Sequence, residues 1–213
     1  MAKKANKYSH TNPVIQTLIE ETKKEIPTIL DVGCWNGALG LSLKKDRFHC
    51  VIDGIDIEKN ILIKSKGQGY REVYQMDLHY QSLSKIKKTY DLVILGDILE
   101  HLIDPEKVLK ESAKRLSKNG HIIVSLPNIG FIKYRLLHLI GKWNYTETGI
   151  MDKTHLHFYT LKTMRELFSR SNLVIESFIG FSAVPKVFWF IKILGETFPS
   201  LFALQVIFKL KTR

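Results

Sequence analysis

Two glycines and two acids are spaced in this chain as a nucleotide-type ligand would need them. The stretch Ile29-Leu30-Asp31-Val32-Gly33-Cys34-Trp35-Asn36-Gly37 is an apolar strand running into a glycine-bearing turn, and Asp56 follows about twenty residues later at the end of a second apolar segment. A strand, a tight glycine turn and a helix let backbone N–H groups approach a ligand, and a later carboxylate can accept hydrogen bonds from both ribose hydroxyls. The spacing argues against a dinucleotide. Gly33 and Gly37 are separated by Cys34, Trp35 and Asn36, so no G-x-G-x-x-G pyrophosphate loop is spelled. Asp31 precedes the turn, and a carboxylate there would repel a phosphate but favour a ligand with a cationic end.

S-adenosylmethionine has such an end. At these residues the chain resembles the class I S-adenosylmethionine-dependent methyltransferases, whose first motif is commonly acid-x-G-x-G-x-G. Asp31, Gly33 and Gly37 match it, and Trp35 stands where the central glycine is usual. The resemblance continues in order. Arg71 to Asp77 reads as a third strand ending in an acid, and the family implies that Asp77 lies beside the adenine amino group. Tyr90 to Asp97 reads as a fourth strand, followed by Leu99-Glu100-His101-Leu102 and Asp104-Pro105, a helix, the turn Ser117-Lys118-Asn119-Gly120 and the strand His121 to Leu126. These elements span roughly residues 28 to 127 at the family's spacing. The resemblance implies S-adenosylmethionine as cofactor, S-adenosylhomocysteine as product, and cofactor contacts from Asp31, Gly33, Gly37, Asp56, Asp77 and Asp97.

Methyl transfer from a sulfonium is an in-line displacement, so the protein chiefly aligns donor and acceptor and, for a hydroxyl acceptor, removes a proton. His101, His155 and His157 are the bases expected near the crevice, with His155 and His101 assigned as catalytic. The segment Asp152 to Thr160 resembles a D-x-T-H-x-x-F-(Y/F)-T element of family members from polysaccharide and small-molecule gene clusters, which favours His155. Asp97, Glu100 and His101 are spaced i, i+3, i+4. If a helical turn begins at Asp97 they share a face and could hold a divalent ion, as in ubiquinone-pathway O-methyltransferases that this stretch resembles. The blander reading has His101 packing the start of the helix and Glu100 in solvent, and no metal site is assigned.

These residues need a scaffold that converges strand ends. Segments of β character alternate with helical ones from Thr28 onward, which builds a parallel sheet covered on both faces. Strands are expected near 28 to 32, 50 to 56, 71 to 76, 90 to 95 and 120 to 126. Helices are expected near 12 to 25, 38 to 46, 59 to 66, 80 to 88, 105 to 117, 131 to 139 and 161 to 171. Leu173 to Phe181 and Leu201 to Leu210 are further strands, which the family pairs as an antiparallel hairpin. The alternation makes the fold class α/β, and the resemblance implies a Rossmann-like doubly wound seven-stranded sheet of order 3-2-1-4-5-7-6 with the last strand antiparallel. Residues 183 to 195 are longer and more apolar than a hairpin loop requires, and read as a buried segment, a lid, a peripheral membrane contact or a homodimer contact.

The 213 residues suffice for one domain, with 28–127 as the cofactor half and 128–213 as the acceptor side. Cys34 and Cys50 fit no metal or disulfide spacing and read as buried thiols. No signal peptide is evident at the basic N-terminus, and no apolar run reaches the roughly 18 to 20 residues of a spanning helix, so a cytoplasmic location is expected. The formal charge of +11 is carried by dispersed lysines without an arginine and aromatic cluster, which disfavours nucleic acid. The expected activity is therefore O-methylation of a small molecule, lipid-linked intermediate or glycan precursor. The alternatives are an N-methyltransferase, for example on RNA, or a cofactor-binding module without catalysis. An N/D-P-P-Y/F/W motif is absent after the fourth strand, where Gly96-Asp97-Ile98-Leu99 stands.

Overall fold

A computed structural model describes residues 12–22, 24–182 and 189–213 of the chain. Its centre is a seven-stranded sheet in the order β3-β2-β1-β4-β5-β7-β6, with β1 at Thr28–Val32, β2 at Val51–Asp56, β3 at Glu72–Gln75, β4 at Tyr90–Gly96, β5 at Leu116–Pro127, β6 at Leu173–Phe181 and β7 at Gln205–Thr212. The first five strands pair in parallel, and β7 runs antiparallel to both β5 and β6. The expected topology is the one observed.

The strands at the centre are apolar on both sides because both sheet faces are covered. Ile29, Ile52, Leu92, Ile94 and Ile123 pack with the helices α1 (Pro13–Glu20), α2 (Ala38–Lys45) and α3 (Lys59–Gly67). Leu30, Val32, Val93, Leu95 and Val124 point the other way, toward α4 (Pro105–Ala113) and α6 (Leu161–Arg170). Helix starts follow local capping chemistry. The Asn12 side chain accepts from the Val14 amide with Pro13 at the first helical position, and Asp104 accepts from the Lys107 amide with Pro105 next to it. Thr160 and Thr163 form a reciprocal cap for α6.

Four expectations are corrected. The helix expected over 80–88 is only a 3₁₀ turn at Leu83–Lys85, because Ser82 caps it, the Leu83 amide donates to the Glu111 carboxylate, and Leu83 and Ile86 are drawn into the core. α4 stops at Ala113 rather than 117. Asn119, at φ +64°, turns the Ser117 to Gly120 segment into an irregularity within β5. α1 ends at Glu20, short of 25. Leu201 and Phe202 belong to a short helix, α8 (Pro199–Phe202), so the last strand begins only at Gln205. Of the 183 to 195 segment, 183–188 lie outside the described residues, and α7 (Trp189–Thr197) begins within the rest.

After β5 the chain makes a strap over the C-terminal edge of the sheet. It contains α5 (Ile132–Leu139) and the loop to residue 160, and it has its own small core of Ile129, Ile150 and Met151 against Phe131, Tyr134, Phe158 and Leu204. Among the described residues no helix is long and apolar enough to cross a membrane.

Candidate active site

Gly33, Asp56, Asp77 and Asp97 all stand at or just beyond the C-terminal ends of strands, which in an open α/β sheet form one rim. Three neighbouring cavities that share lining residues follow that rim. The central crevice, of about 660 Å³, is lined by Asp31, Gly33, Trp35, Asn36, Asp56, Asp97 and His101 among others. A narrow extension of about 70 Å³ runs past Asp56, Ile57, Asp77, Leu78 and Ile98. On the other side a lobe of about 390 Å³ opens under the strap, lined by Asp97, Glu100, His101, Tyr134, Ile150, Asp152, His155 and Gln205. Asp97, His101 and Gly149 border both large cavities.

The glycine turn is built differently from the sequence expectation. The amides of Gly33 and Cys34 both donate to the Ile55 carbonyl, at 2.8 and 2.9 Å, and the Trp35 amide donates to Asp56 Oδ2 at 2.9 Å. These N–H groups brace the turn against β2 and are not directed at a ligand. Trp35 adopts φ +45°, a left-handed conformation that glycine takes without steric cost, and the Ser65 hydroxyl holds its carbonyl at 2.7 Å. A Cβ on Gly33, itself at φ +80°, would meet the Ile98 side chain at 3.0 Å, and one on Gly37 would meet Ser65 Cα at 2.9 Å.

Asp56 is held at both oxygens, because Oδ1 also accepts from the Glu58 amide at 3.0 Å. Each carboxylate oxygen has a second lone pair to offer a ribose hydroxyl. Asp31 is buried and receives the Tyr70 hydroxyl at 2.5 Å. Burial raises its carboxyl to about 7, opposed by the Tyr70 hydrogen bond and reinforced by the Asp56 charge. A ligand ammonium in the crevice would favour the ionised form. Asn36 adds a feature that the turn motif gave no reason to single out: the residue lines the crevice, and its Oδ1 is buried without a hydrogen-bond partner. Asp77 accepts from the His79 amide and borders the narrow extension, in which Ile57 and Leu78 supply apolar walls.

At the acceptor end the expected helical turn from Asp97 does not form. Asp97 has φ +51°, and only Leu99–His101 is helical, as one 3₁₀ turn. Asp97 accepts from the hydroxyl of Ser125 at 3.0 Å and from the Gln205 side chain. The surface that it exposes faces the crevice, and this enclosure raises its carboxyl, with Ser125, Gln205 and His101 opposing. Glu100 is buried, not in solvent. Its carboxyl is raised well above the usual range by burial and then by the charges of Asp97 and Asp152, and Oε2 has no hydrogen-bond partner. His155 enters from the strap and its ring meets that of His101 edge-on at 4.7 Å. Glu100, His101 and His155 thus bring ligand atoms within 4.8 Å of one another. They replace the expected Asp97, Glu100, His101 set as the group that could hold a divalent ion.

His155 Nδ1 lies 3.1 Å from the Ile150 carbonyl, which can only accept, so Nδ1 carries the proton and the lone pair falls on Nε2. Asp152 holds the approach to His155: its side chain accepts from the Thr154 amide and hydroxyl, and its carbonyl from the His155 amide at 3.0 Å. The Asp-x-Thr spacing is the sequence signal for that turn. His157 is corrected. Its ring stacks on Tyr159, its amide is tied to the Glu100 carbonyl, and it borders neither large cavity. Tyr70, Gln205 and Tyr134 reach the site from distant segments and carried no local signal.

A family profile described as a methyltransferase domain matches residues 7–177. The chain belongs to that family. It is a class I S-adenosylmethionine-dependent methyltransferase by family and fold. Among similar proteins, the mitochondrial ubiquinone biosynthesis O-methyltransferase of Candida albicans is 30% identical over 120 residues, 54% of this chain and 37% of that protein. The ubiquinone biosynthesis O-methyltransferase of Coxiella burnetii (strain Dugway 5J108-111) is 24% identical, over 65% of this chain and 70% of that protein. The matches to some of these relatives thus span half of their length or less. Among solved structures, a methyltransferase of Mesorhizobium loti superposes with TM-score 0.67 at 15% identity, covering 93% of this chain and 95% of that one. One from Archaeoglobus fulgidus gives 0.64 at 17% identity, covering 94% and 92%. At those identities the likeness establishes the methyltransferase fold.

Proposed function

We propose that this methyltransferase moves the methyl group of S-adenosylmethionine to an oxygen of a small molecule, lipid-linked intermediate or glycan precursor in the cytoplasm. One domain does this, with 28–127 holding the donor and 128–213 enclosing the acceptor. The observation that carries the reading is the junction of the two large cavities at Asp97 and His101, with His155 on the acceptor side. In this reading Asp31 receives the methionine ammonium, Asp56 the ribose hydroxyls and Asp77 the adenine edge, while Gly33 and Gly37 shape the turn. Asp97 marks the end of the crevice where the sulfonium must lie. His155 Nε2 takes the hydroxyl proton as the methyl arrives, and His101, packed on it, lines the path. The ubiquinone-biosynthesis names of the relatives support a hydroxylated ring carried on an apolar chain as the first acceptor to try.

A second reading is supported by the Glu100, His101 and His155 cluster. These residues would hold a divalent ion, whose charge would ionise Glu100 and satisfy its partnerless oxygen. When bound, such an ion would supply Lewis-acid polarisation of an acceptor oxygen. The deciding experiment for the main reading is incubation with S-adenosylmethionine and a panel of phenols, prenylated phenols, sugars and amines, reading S-adenosylhomocysteine release and the methylated atom by mass spectrometry. O-methylation of a hydroxylated acceptor is expected. Transfer to nitrogen only, or cofactor binding without transfer to any acceptor, would overturn it.

A further inference from the structure

Helix α5 (Ile132–Leu139) contributes no buried residue to the molecule. At 100° per residue, Tyr134, Leu137 and His138 share one side, and these half-buried residues face the protein. The opposite side presents Leu136 (56% exposed), Leu139 (81%) and, at the C-cap, Ile140 (66%), and past Gly141, at φ +73°, the chain leaves the helix and turns to Trp143 (44%). Leu136, Leu139 and Ile140 are positions i, i+3 and i+4, the spacing of a single apolar face. Trp143 is fixed at the end of the ridge, stacked on His138 at 4.2 Å and edge-on to Phe158 at 5.4 Å, with Tyr145 beside the same Phe158. Lys133 and Arg135 flank the ridge on its two sides, and Lys142 follows it; all three are exposed.

An apolar ridge bordered by cations and ended by Trp and Tyr has the chemistry of an interfacial helix. A second copy of this chain suits it poorly, because a two-fold contact would set the cationic border of Lys133, Arg135 and Lys142 on one copy against that of the other. An anionic bilayer accepts both parts: the ridge enters the acyl boundary while the cations meet headgroups. We propose that α5 and the following turn to Tyr145 dock this methyltransferase on anionic lipid surfaces. The inner side of the same helix carries Tyr134, which lines the acceptor lobe with Ile150 and His155. Docking therefore sets the acceptor lobe beside the lipid, and the acceptor class served is amphiphilic, with its reactive hydroxyl presented at the headgroup level.

The test is flotation with vesicles of phosphatidylcholine alone or with phosphatidylglycerol added, which requires no turnover and so stands apart from the proposed reaction. The wild-type chain is expected to float with the phosphatidylglycerol vesicles, less so as salt rises, with a blue shift of tryptophan emission. Leu139→Asp with Ile140→Asp should lower the partition coefficient about tenfold or more. Lys133→Gln with Lys142→Gln should weaken binding to the anionic vesicles alone. Both pairs should keep the circular dichroism spectrum and the S-adenosylhomocysteine affinity of the wild type, which separates lost docking from lost fold. No flotation of the wild type, or flotation unchanged by the aspartate pair, would overturn the proposal. So would a wild-type dimer in sedimentation velocity that the aspartate pair splits.

Discussion

Asp31 is the residue whose chemistry depends most on its surroundings. Its carboxyl stands near 7 because burial outweighs the Tyr70 hydrogen bond. In the free protein the folded state therefore keeps a proton that the unfolded chain has released. The Asp31 contribution to stability is greatest at low pH and is lost as pH rises from the unfolded value of 3.8 through about 7. In the proposed reading cofactor binding runs the opposite way, since the ammonium would need the carboxylate. Calorimetric affinity for S-adenosylmethionine is expected to rise roughly eightfold between about pH 6 and about pH 7.5, following the ionised fraction of a group near 7, and Asp31→Asn should flatten the profile. A profile that slopes equally in the Asn variant would remove the ammonium from Asp31. Asp56→Ala is expected to weaken binding by about 1.5 to 3 kcal/mol, the scale of charge-assisted hydrogen bonds. Unchanged calorimetric affinity would free the ribose from Asp56. Both acids were legible in sequence because a strand end fixes where its last side chains point. Tyr70 was not, since its contact with Asp31 spans 39 positions and depends on how α3 returns to the sheet. Trp35 was legible as a departure from the motif, but its left-handed backbone and the bracing of its amide by Asp56 were not.

At the level of elements, the central strands could be read directly because double burial makes their sequences continuously apolar. The ends of the chain were harder. Leu201 and Phe202 are as apolar as strand residues, yet they form α8, and the cause lies in Asn128 at the end of β5. Asn128 is fully buried, its amide donates to the carbonyls of Pro199 and Ala203 at 3.1 and 2.9 Å, and its Oδ1 accepts from Gly130 at 2.9 Å. One side chain thus ties α8, the entry to β7 and the start of the strap together. Asn128→Ala should take the side-chain partner from the buried Ala203 carbonyl and Gly130 amide and cost about 2 to 3 kcal/mol, read as a lowered midpoint of urea unfolding with the m-value unchanged. A loss under ~0.5 kcal/mol would mean that the strap and the hairpin are held independently of Asn128. Gly33→Val acts on the turn. The left-handed φ and the contact with Ile98 both oppose a side chain there, so cofactor binding should disappear from a protein that still folds by circular dichroism. Retained binding would detach the turn from the cofactor.

Across the whole molecule, the proposed catalysis depends on bringing a strap residue over the sheet edge, an arrangement that sequence spacing alone cannot give. His101 and His155 are 54 positions apart in number and 4.7 Å apart between ring centres. The sheet delivers the first at the end of β4, and the Asp152 turn delivers the second from above. The Ile150 carbonyl then sets the His155 tautomer, so that its basic nitrogen is Nε2. If His155 is the base, His155→Gln should lower the catalytic rate by ~10²-fold or more while S-adenosylhomocysteine affinity hardly changes, because a base acts on the transition state and not on donor binding. Turnover of the wild type should also survive excess chelator. Ordinary turnover in the Gln variant would leave His155 as a strut of the strap, and loss of cofactor binding would move it to the donor site. Activity abolished by chelator and restored by magnesium, manganese or zinc would make His155 a ligand beside Glu100 and His101 instead, and the proton would then have to leave through another group.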